Sequence, residues 1–300
     1  LSDADGAPAP EAILVHDGEL TPLKLSALLR SSATGQANKH PKGSIEEDGP
    51  APGLPVFELG GVHFGLAFSF DDLNDFDDFD VDAVLYLDGY GFAMDDPSSA
   101  MGVSVSDGRF MDDAEATGSW IVGVGSLGTY GMQVFTGSSF VLTPWGELAA
   151  QSPSFEEDLL IADIDPDLSG PLDHPLDLEV YDRPLVAWNV LVQGLAESLS
   201  QMGFSQAAVL VDGTLDSSAV AALATDALGP TNVHALLVMG ANDNLDVSAR
   251  RLVENLRLPV RELPMAALSP DHALAADLAQ AHLVALAREE GAMPLSNLDK

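Results

Sequence analysis

The sequence predicts an α/β protein built in two parts. Three observations carry that expectation. Residues 1–170 are dense in short apolar runs punctuated by Gly, Pro, Asn and Asp, with few long helical patterns. Residues 183–300 alternate apolar strand-length runs with helical periodicities, which is how a parallel sheet with helices on its faces reads. Between them, DPDLSGPLDHP (165–175) breaks both patterns with Pro, Gly and Asp. The expected division is therefore a domain over 1–170, a linker over 171–182 and a domain over 183–300.

In the first part, EAILVH (11–16) followed by Asp17-Gly18 reads as a strand entering a turn. Residues 31–53 are rich in Ser, Gly, Pro and charge, and read as a loop. LPVFELGGVHFGLAFSF (54–70) reads as two strands around Gly60-Gly61, a hairpin signal. VDAVLYLDGYG (81–91) and SWIVGVGS (119–126) read as buried strands. SSFVLTPWGELAAQSP (138–153) alternates and turns at Pro144-Trp145-Gly146, a second hairpin, and DLLIADID (158–165) reads as the closing strand.

In the second part, Asp182 is placed to cap a helix opened by Arg183 and Pro184. Leu185, Trp188, Leu191, Leu195, Leu199 and Met202 recur at helical spacing, and Gly203 ends the helix. AAVLV (207–211) is a strand, SSAVAALATDAL (217–228) a helix stopped by Gly229-Pro230, and NVHALLVM (232–239) a strand. SARRLVENL (248–256) is a helix, LPVREL (258–263) a strand, and 271–290 a long helix ended by Gly291.

Composition excludes several functions. The 300 residues are 46% apolar, enough for a core, yet no run of 18 apolar residues suggests a membrane span. Acids number 47 against 12 Lys and Arg, a formal net charge of −35, and only residues 24, 39, 42 and 300 are Lys. Neutralising nucleic-acid phosphates needs clustered cations, and an anionic membrane repels this charge, so neither partner is expected. With no Cys, the chain has no disulfide, thiolate metal site or cysteine nucleophile. LSDADGAPAP lacks the pattern of a signal peptide, so the cytoplasm is the expected location. The acid excess is uneven: residues 71–113 hold 13 Asp and one Arg. A hydrated acidic surface is one reading and a cation site in DDLNDFDDFDVD (71–82) another, although that stretch lacks the Gly and Glu an EF-hand loop requires.

Ligands of α/β sheets bind beyond the carboxyl ends of strands, where helix N-termini offer free N–H groups. AAVLVDGTLDSSAVAALATDALG (207–229) is such a strand–loop–helix unit, without a Walker motif. Asp212-Gly213-Thr214-Leu215-Asp216-Ser217 resembles the SGGxDS pyrophosphate loop of ATP-pyrophosphatase-type amide ligases. With its flanks, 179–239 resembles the opening of the synthetase domain of glutamine-dependent NAD synthetases. HDGELTPLK (16–24), LPVFELGGVHFGLAFSFDDL (54–73) and VFTGSSFVLTPWGELAAQSPSFEEDLLIADID (134–165) resemble the nitrilase-like glutaminase domain of the same family. Gln280-Ala281-His282 is similar to its Gln-Ala-Arg helix, and SNLDK (296–300) to its lysine-bearing loop. The resemblance implies a partial nitrilase-like αββα sandwich, followed by a partial three-layer αβα, Rossmann-like domain of the adenine-nucleotide α-hydrolase type.

The departures from the family pattern bear on chemistry. The resemblance calls for a Glu base, a Lys and a Cys nucleophile, because a thiolate attacks near neutral pH whereas an unactivated hydroxyl stays protonated. The nucleophile slot falls at Ser69, or at Phe70 with a one-residue shift, and the lysine slot at Ser26, with Lys24 nearby. The segment with the Glu base is expected upstream of residue 1, and the remaining half of the synthetase domain beyond Lys300. In the loop, Gly213, Asp216 and Ser217 fit the motif; Asp216 would hold magnesium and Ser217 would face pyrophosphate. Thr214 replaces a glycine, and Asp212 adds a carboxylate where the ligand is anionic. His234 reads as a structural residue at a strand start, His282 as a second candidate phosphate contact and Trp145 as a candidate exposed partner contact. No His pair has zinc-ligand spacing with a third ligand nearby, and no Ser-His-Asp spacing supports a triad.

Two functions compete. One is an ATP-dependent amide ligase converting deamido-NAD to NAD, with Gly213, Asp216, Ser217, Gln280 and Lys300 binding ATP and magnesium. The other is a non-catalytic or regulatory homologue, acting as a homo-oligomer or in complex with another protein subunit. An eroding gene product is a third possibility.

Overall fold

The computed structural model describes residues 11–16, 18–24, 56–76, 80–89, 91–131, 133–240, 242–264 and 272–296. The chain divides into two compact units, Leu1–Val186 and Ala187–Lys300.

The first unit begins with strands β1 (Glu11–His16) and β2 (Glu19–Lys24), paired antiparallel. Its main sheet is six-stranded, in the order β10-β9-β6-β5-β4-β3. β3 (Val56–Leu59) and β4 (Val62–Ala67) form the hairpin expected at Gly60-Gly61. Both glycines have positive φ (64° and 85°), as a two-residue hairpin turn that matches strand twist requires. β4 runs parallel to β5 (Ala83–Leu87), and β5 parallel to β6 (Trp120–Val124). Helix α1 (Phe70–Asn74) lies in the first crossover, with α2 (Met101–Ser106) and α3 (Arg109–Thr117) in the second. β7 (Leu127–Tyr130) and β8 (Gln133–Thr136) form a separate hairpin; β9 (Phe140–Leu142) and β10 (Leu148–Gln151) close the main sheet around Pro144-Trp145-Gly146.

One face of this sheet packs on the helices. Leu73, Phe76, Met101, Val105, Phe110 and Ala114 meet Ala67, Val84, Tyr86, Ile121, Phe140, Leu142 and Leu148. The other face, around Ala83, Trp120 and Val141, is covered by Leu160, Ile164 and Leu172. The α/β class holds, and the described residues of this unit supply one helix layer and one sheet layer.

Residues 158–165 correct the sequence reading, because no strand forms there. Leu159 and Ile161 are 81% and 82% exposed, so the apolar run is only partly packed. The segment is an irregular cover, tied down where Trp120 Nε1 donates to the Asp165 carbonyl at 3.3 Å. Helices α2 and α3 are additions the periodicity did not announce.

The second unit is a four-stranded parallel sheet, β13-β12-β11-β14, formed by β11 (Ala207–Val211), β12 (Val233–Met239), β13 (Val260–Pro264) and β14 (Met293–Leu295). Its helices are α4 (Arg183–Gln201), which starts in the first unit, α5 (Leu215–Leu228), α6 (Asp243–Leu256) and α7 (His272–Glu290). Alternation along β11 sends Val209 and Val211 to one face, with Ala221, Ala224, Ala249, Val253 and the half-buried Leu195. It sends Ala208 and Leu210 to the other, with Ala279, Leu283, Leu286 and Ala287. This is the expected αβα layering.

α4 begins where Val186 N–H donates to the Asp182 carbonyl at 2.9 Å. It ends in a paired cap: Gly203 (φ 83°) lets Phe204 N–H reach the Leu199 carbonyl and Gly203 N–H the Ser200 carbonyl, at 2.8 and 3.0 Å. α6 starts five residues earlier than its apolar periodicity suggests, because Asn242 caps it by accepting from Asn244 N–H at 2.9 Å. Among the described residues, no helix is long and apolar enough to cross a membrane.

Candidate functional site

The loop Asp212–Ser217 links the carboxyl end of β11 to α5, the position where open α/β sheets hold ligands. Thr214 is the N-cap of α5, and its hydroxyl accepts from Ser217 N–H at 3.4 Å. Asp212 then turns the loop inward. Its Oδ1 accepts from Thr214 N–H at 3.0 Å, from the Thr214 hydroxyl at 2.7 Å and from the Ser217 hydroxyl at 2.7 Å. Burial raises the Asp212 pKa, but the hydrogen bonds from Thr214 and Ser217 outweigh it, so the carboxyl is held below its usual value. An internal carboxylate thus sits at the electropositive end of a 14-residue helix and takes its hydroxyl donors.

Gly213 packs on α6 on the side that a side chain would occupy. Its φ is +83°, and a methyl group there would lie 2.1 Å from the Leu245 carbonyl oxygen of α6. Ser217 is fully buried, facing Asp212 and the Thr214 carbonyl rather than solvent. Asp216 is exposed beside it on the first turn of α5. The next strand end repeats the pattern: Gly240 N–H, just beyond β12, donates to both carboxylate oxygens of Asp246, at 3.0 and 2.8 Å. Among the described residues, no group of three or more His, Asp or Glu side chains is placed to hold a metal. Two fixed carboxylates, Asp212 held by Thr214 and Ser217 and Asp246 held by Gly240, thus stand at the ends of β11 and β12.

Gln280 lies half-buried on α7, and no hydrogen bond joins it to Asp212. Lys300 and Ser26 lie outside the described residues.

In the first unit, Ser69 is the N-cap of α1. Its hydroxyl oxygen accepts from Asp72 N–H at 3.2 Å, while Asp72 accepts from Phe68 N–H at 2.9 Å. Among the described residues, no His, Glu or Lys side chain hydrogen-bonds Ser69. The shifted slot, Phe70, joins an aromatic cluster, with ring centroids 4.7 Å from Phe110 and 5.8 Å from Tyr86 and the Arg109 guanidinium 4.1 Å above it. Both slots serve local structure, Ser69 as a helix cap and Phe70 as part of the aromatic cluster.

Four other singled-out side chains also find structural partners. His234 lies 3.3 Å from Gln206 Oε1 and 3.9 Å from Glu290. His282 is exposed, its Nδ1 2.8 Å from the Leu278 carbonyl one turn back. Trp188 is half-buried rather than core, and its indole N–H donates to Asp226 at 2.9 Å. Trp145 is not a free surface ring: it meets Trp120 edge-on at 6.3 Å and donates to Glu147 at 2.8 Å. Sequence reasoning missed Asp246, whose only signal was an acid one turn into a helix that follows a strand.

Comparison with known proteins adds two family models. One described as NAD synthase matches residues 187–289, and one described as carbon-nitrogen hydrolase matches residues 111–173. The glutamine-dependent NAD(+) synthetase of Rhodobacter capsulatus is 34% identical over 143 residues, covering 45% of this chain and 26% of the relative. The NH(3)-dependent NAD(+) synthetase of Fusobacterium nucleatum is 39% identical over 72 residues, covering 23% of this chain and 28% of the relative. Among solved structures, glutamine-dependent NAD+ synthetase from Acinetobacter baumannii, in complex with adenosine diphosphate, superposes with a TM-score of 0.70 at 22% identity. That match covers 100% of this chain and 59% of the other, so the likeness is one of fold over part of a longer protein.

Proposed function

We infer, for a chain that belongs to the glutamine-dependent NAD synthetase family, that it is a non-catalytic member acting through a partner or as a regulatory subunit. The observation that carries this reading is the closure of the Asp212–Ser217 loop on its own carboxylate. Enzymes of this family use ATP and magnesium to activate a carboxylate for amide formation. Here a phosphate brought to the α5 terminus meets a fixed negative charge. Two unit charges about 4 Å apart repel by about 4 kcal/mol at an effective dielectric of 20. That is a loss of several hundredfold in affinity, at about 1.4 kcal/mol per tenfold.

The glutaminase side supports the same reading. Ser69 is committed to capping α1, and its hydroxyl has no base among the described residues. The two activities are separable in assay: ammonia release from glutamine, and pyrophosphate release from ATP with deamido-NAD, magnesium and an ammonium salt. The reading expects neither above the no-protein blank. Turnover in the second assay would replace it with an ammonia-using amide ligase built on Gly213, Asp216 and Ser217. Co-purification of one stoichiometric partner, or a homo-oligomer in solution, is the positive outcome expected beside the two negatives.

A further inference from the structure

The stretch 156–180 covers one face of the main sheet of the first unit without forming a helix or strand. Its hold on that face is thin. Leu160, Ile164 and Leu172 pack against the buried cluster of Ala83, Trp120 and Val141. Leu159, Ile161 and Val180 are 81%, 82% and 92% exposed, and Leu168, Leu176 and Leu178 are exposed as well. Three of its nine large aliphatic side chains therefore do the packing.

Hydrogen bonds fasten the stretch at separate points rather than along a ladder. Trp120 Nε1 donates to the Asp165 carbonyl at 3.3 Å, Leu172 N–H to Glu147 Oε2 at 2.7 Å and Leu176 N–H to the Leu148 carbonyl at 2.8 Å. Glu147 Oε2 also accepts from the Trp145 indole at 2.8 Å. The bond from Leu172, and then that from Trp145, holds the Glu147 carboxyl below its usual value, so the anchor is a charged one. Segments with few buried contacts and scattered bonds open at a lower free energy than the sheet they lie on.

Charge opposes the closed position. Residues 156–180 hold nine Asp and Glu and no Lys or Arg. Residues 1–155 hold 24 acids against five Lys and Arg, so closing brings like charge onto like charge. The range of that repulsion depends on salt, with a screening length of about 10 Å at 0.1 M and about 3 Å at 1 M ionic strength. The contacts of Leu160, Ile164 and Leu172 carry no charge and draw the stretch down under both conditions, so screening decides the balance.

We propose that residues 156–180 are an ionic-strength-dependent strap, closed on the sheet in concentrated salt and lifted in dilute salt to bare the apolar face around Trp120. The proposal needs no bound ligand and does not rest on the reading of the nucleotide loop. The test is residue-resolved hydrogen exchange of the full chain at constant pH, in potassium chloride at about 0.1 M and about 1 M and in choline chloride at the same two ionic strengths. Protection of the Leu172 and Leu176 amides should rise roughly tenfold or more between the two conditions, alike for both cations, while the amides of β11 and β12 change little. A quadruple variant, Asp163→Asn, Asp167→Asn, Asp173→Asn and Asp177→Asn, alters exposed carboxylates that bond nothing among the described residues. It should raise protection in dilute salt and flatten the salt response. Protection independent of salt, a change of equal size in β11 and β12, a response to potassium but not to choline, or a quadruple variant as salt-sensitive as wild type would overturn the proposal.

Discussion

The Asp212 carboxylate should stabilise the second unit, and replacing Asp212 with Asn measures by how much. The amide keeps an acceptor oxygen beside Thr214 and Ser217 but removes the charge. Three hydrogen bonds to one carboxylate oxygen then become neutral ones. Hydrogen bonds to a charged group contribute about 1.5–3 kcal/mol against about 1 for neutral pairs. The interaction with the α5 terminus, about 0.3–1 kcal/mol, is lost too. Relief of desolvation offsets part of this, leaving a net loss of about 2 kcal/mol at neutral pH. The pH dependence has a definite sign. Because the folded pKa of Asp212 is lowered, its stabilisation is complete above the unfolded carboxyl value of about 3.9 and disappears as pH falls through the folded value. Hydrogen exchange of the β11 and α5 amides, in wild type and Asp212→Asn from neutral to acid pH, reads this locally. Identical protection at neutral pH, or a gap that widens on acidification, would refute the reasoning.

Three further outcomes follow from the same geometry. Gly213→Ala places a methyl group 2.1 Å from the Leu245 carbonyl at φ +83°, and should cost about 3 kcal/mol or more, seen as a fall in the thermal midpoint of the second unit. Ser69→Cys should weaken the α1 cap by about 1 kcal/mol and still release no ammonia from glutamine; iodoacetamide-sensitive ammonia release would contradict the capping role. Phe110 is 1% exposed, with ring centroids 4.6 Å from Phe140 and 4.9 Å from Tyr86. Phe110→Ala should therefore destabilise the first unit by about 3–5 kcal/mol in urea titration.

What the sequence revealed depended on whether a feature was local. Gly203, Gly291 and Gly60-Gly61 need backbone conformations that few residues supply, so the turns they make were legible from identity alone. β11 was legible because both its faces are buried and AAVLV reads as an uninterrupted apolar run, whereas β14 was not read from the sequence. α2 was hidden for the opposite reason. Met101 to Val105 are all buried, so MGVSVS carries no polar face to set a helical period. Residues 158–165 carry a strand-length apolar run while serving as a cover, because Leu160 and Ile164 need only a surface to pack on.

At the site, the charge of Asp212 was visible as an obstacle to an anionic ligand. That Thr214 and Ser217 would turn inward to hold it was not, since neighbouring side chains become partners only once β11 and α5 fix the loop. Trp145 likewise stood at a turn, as expected, but its partners Trp120 and Glu147 lie on strand β6 and at the turn's own far side.

The central claim is that this chain does not take up a nucleoside triphosphate at the α5 terminus. Calorimetric titration of ATP with magnesium into the intact chain tests it most directly. No saturable heat up to millimolar nucleotide is the predicted result. A one-site isotherm with a micromolar dissociation constant, abolished by substitution of Ser217, would contradict it.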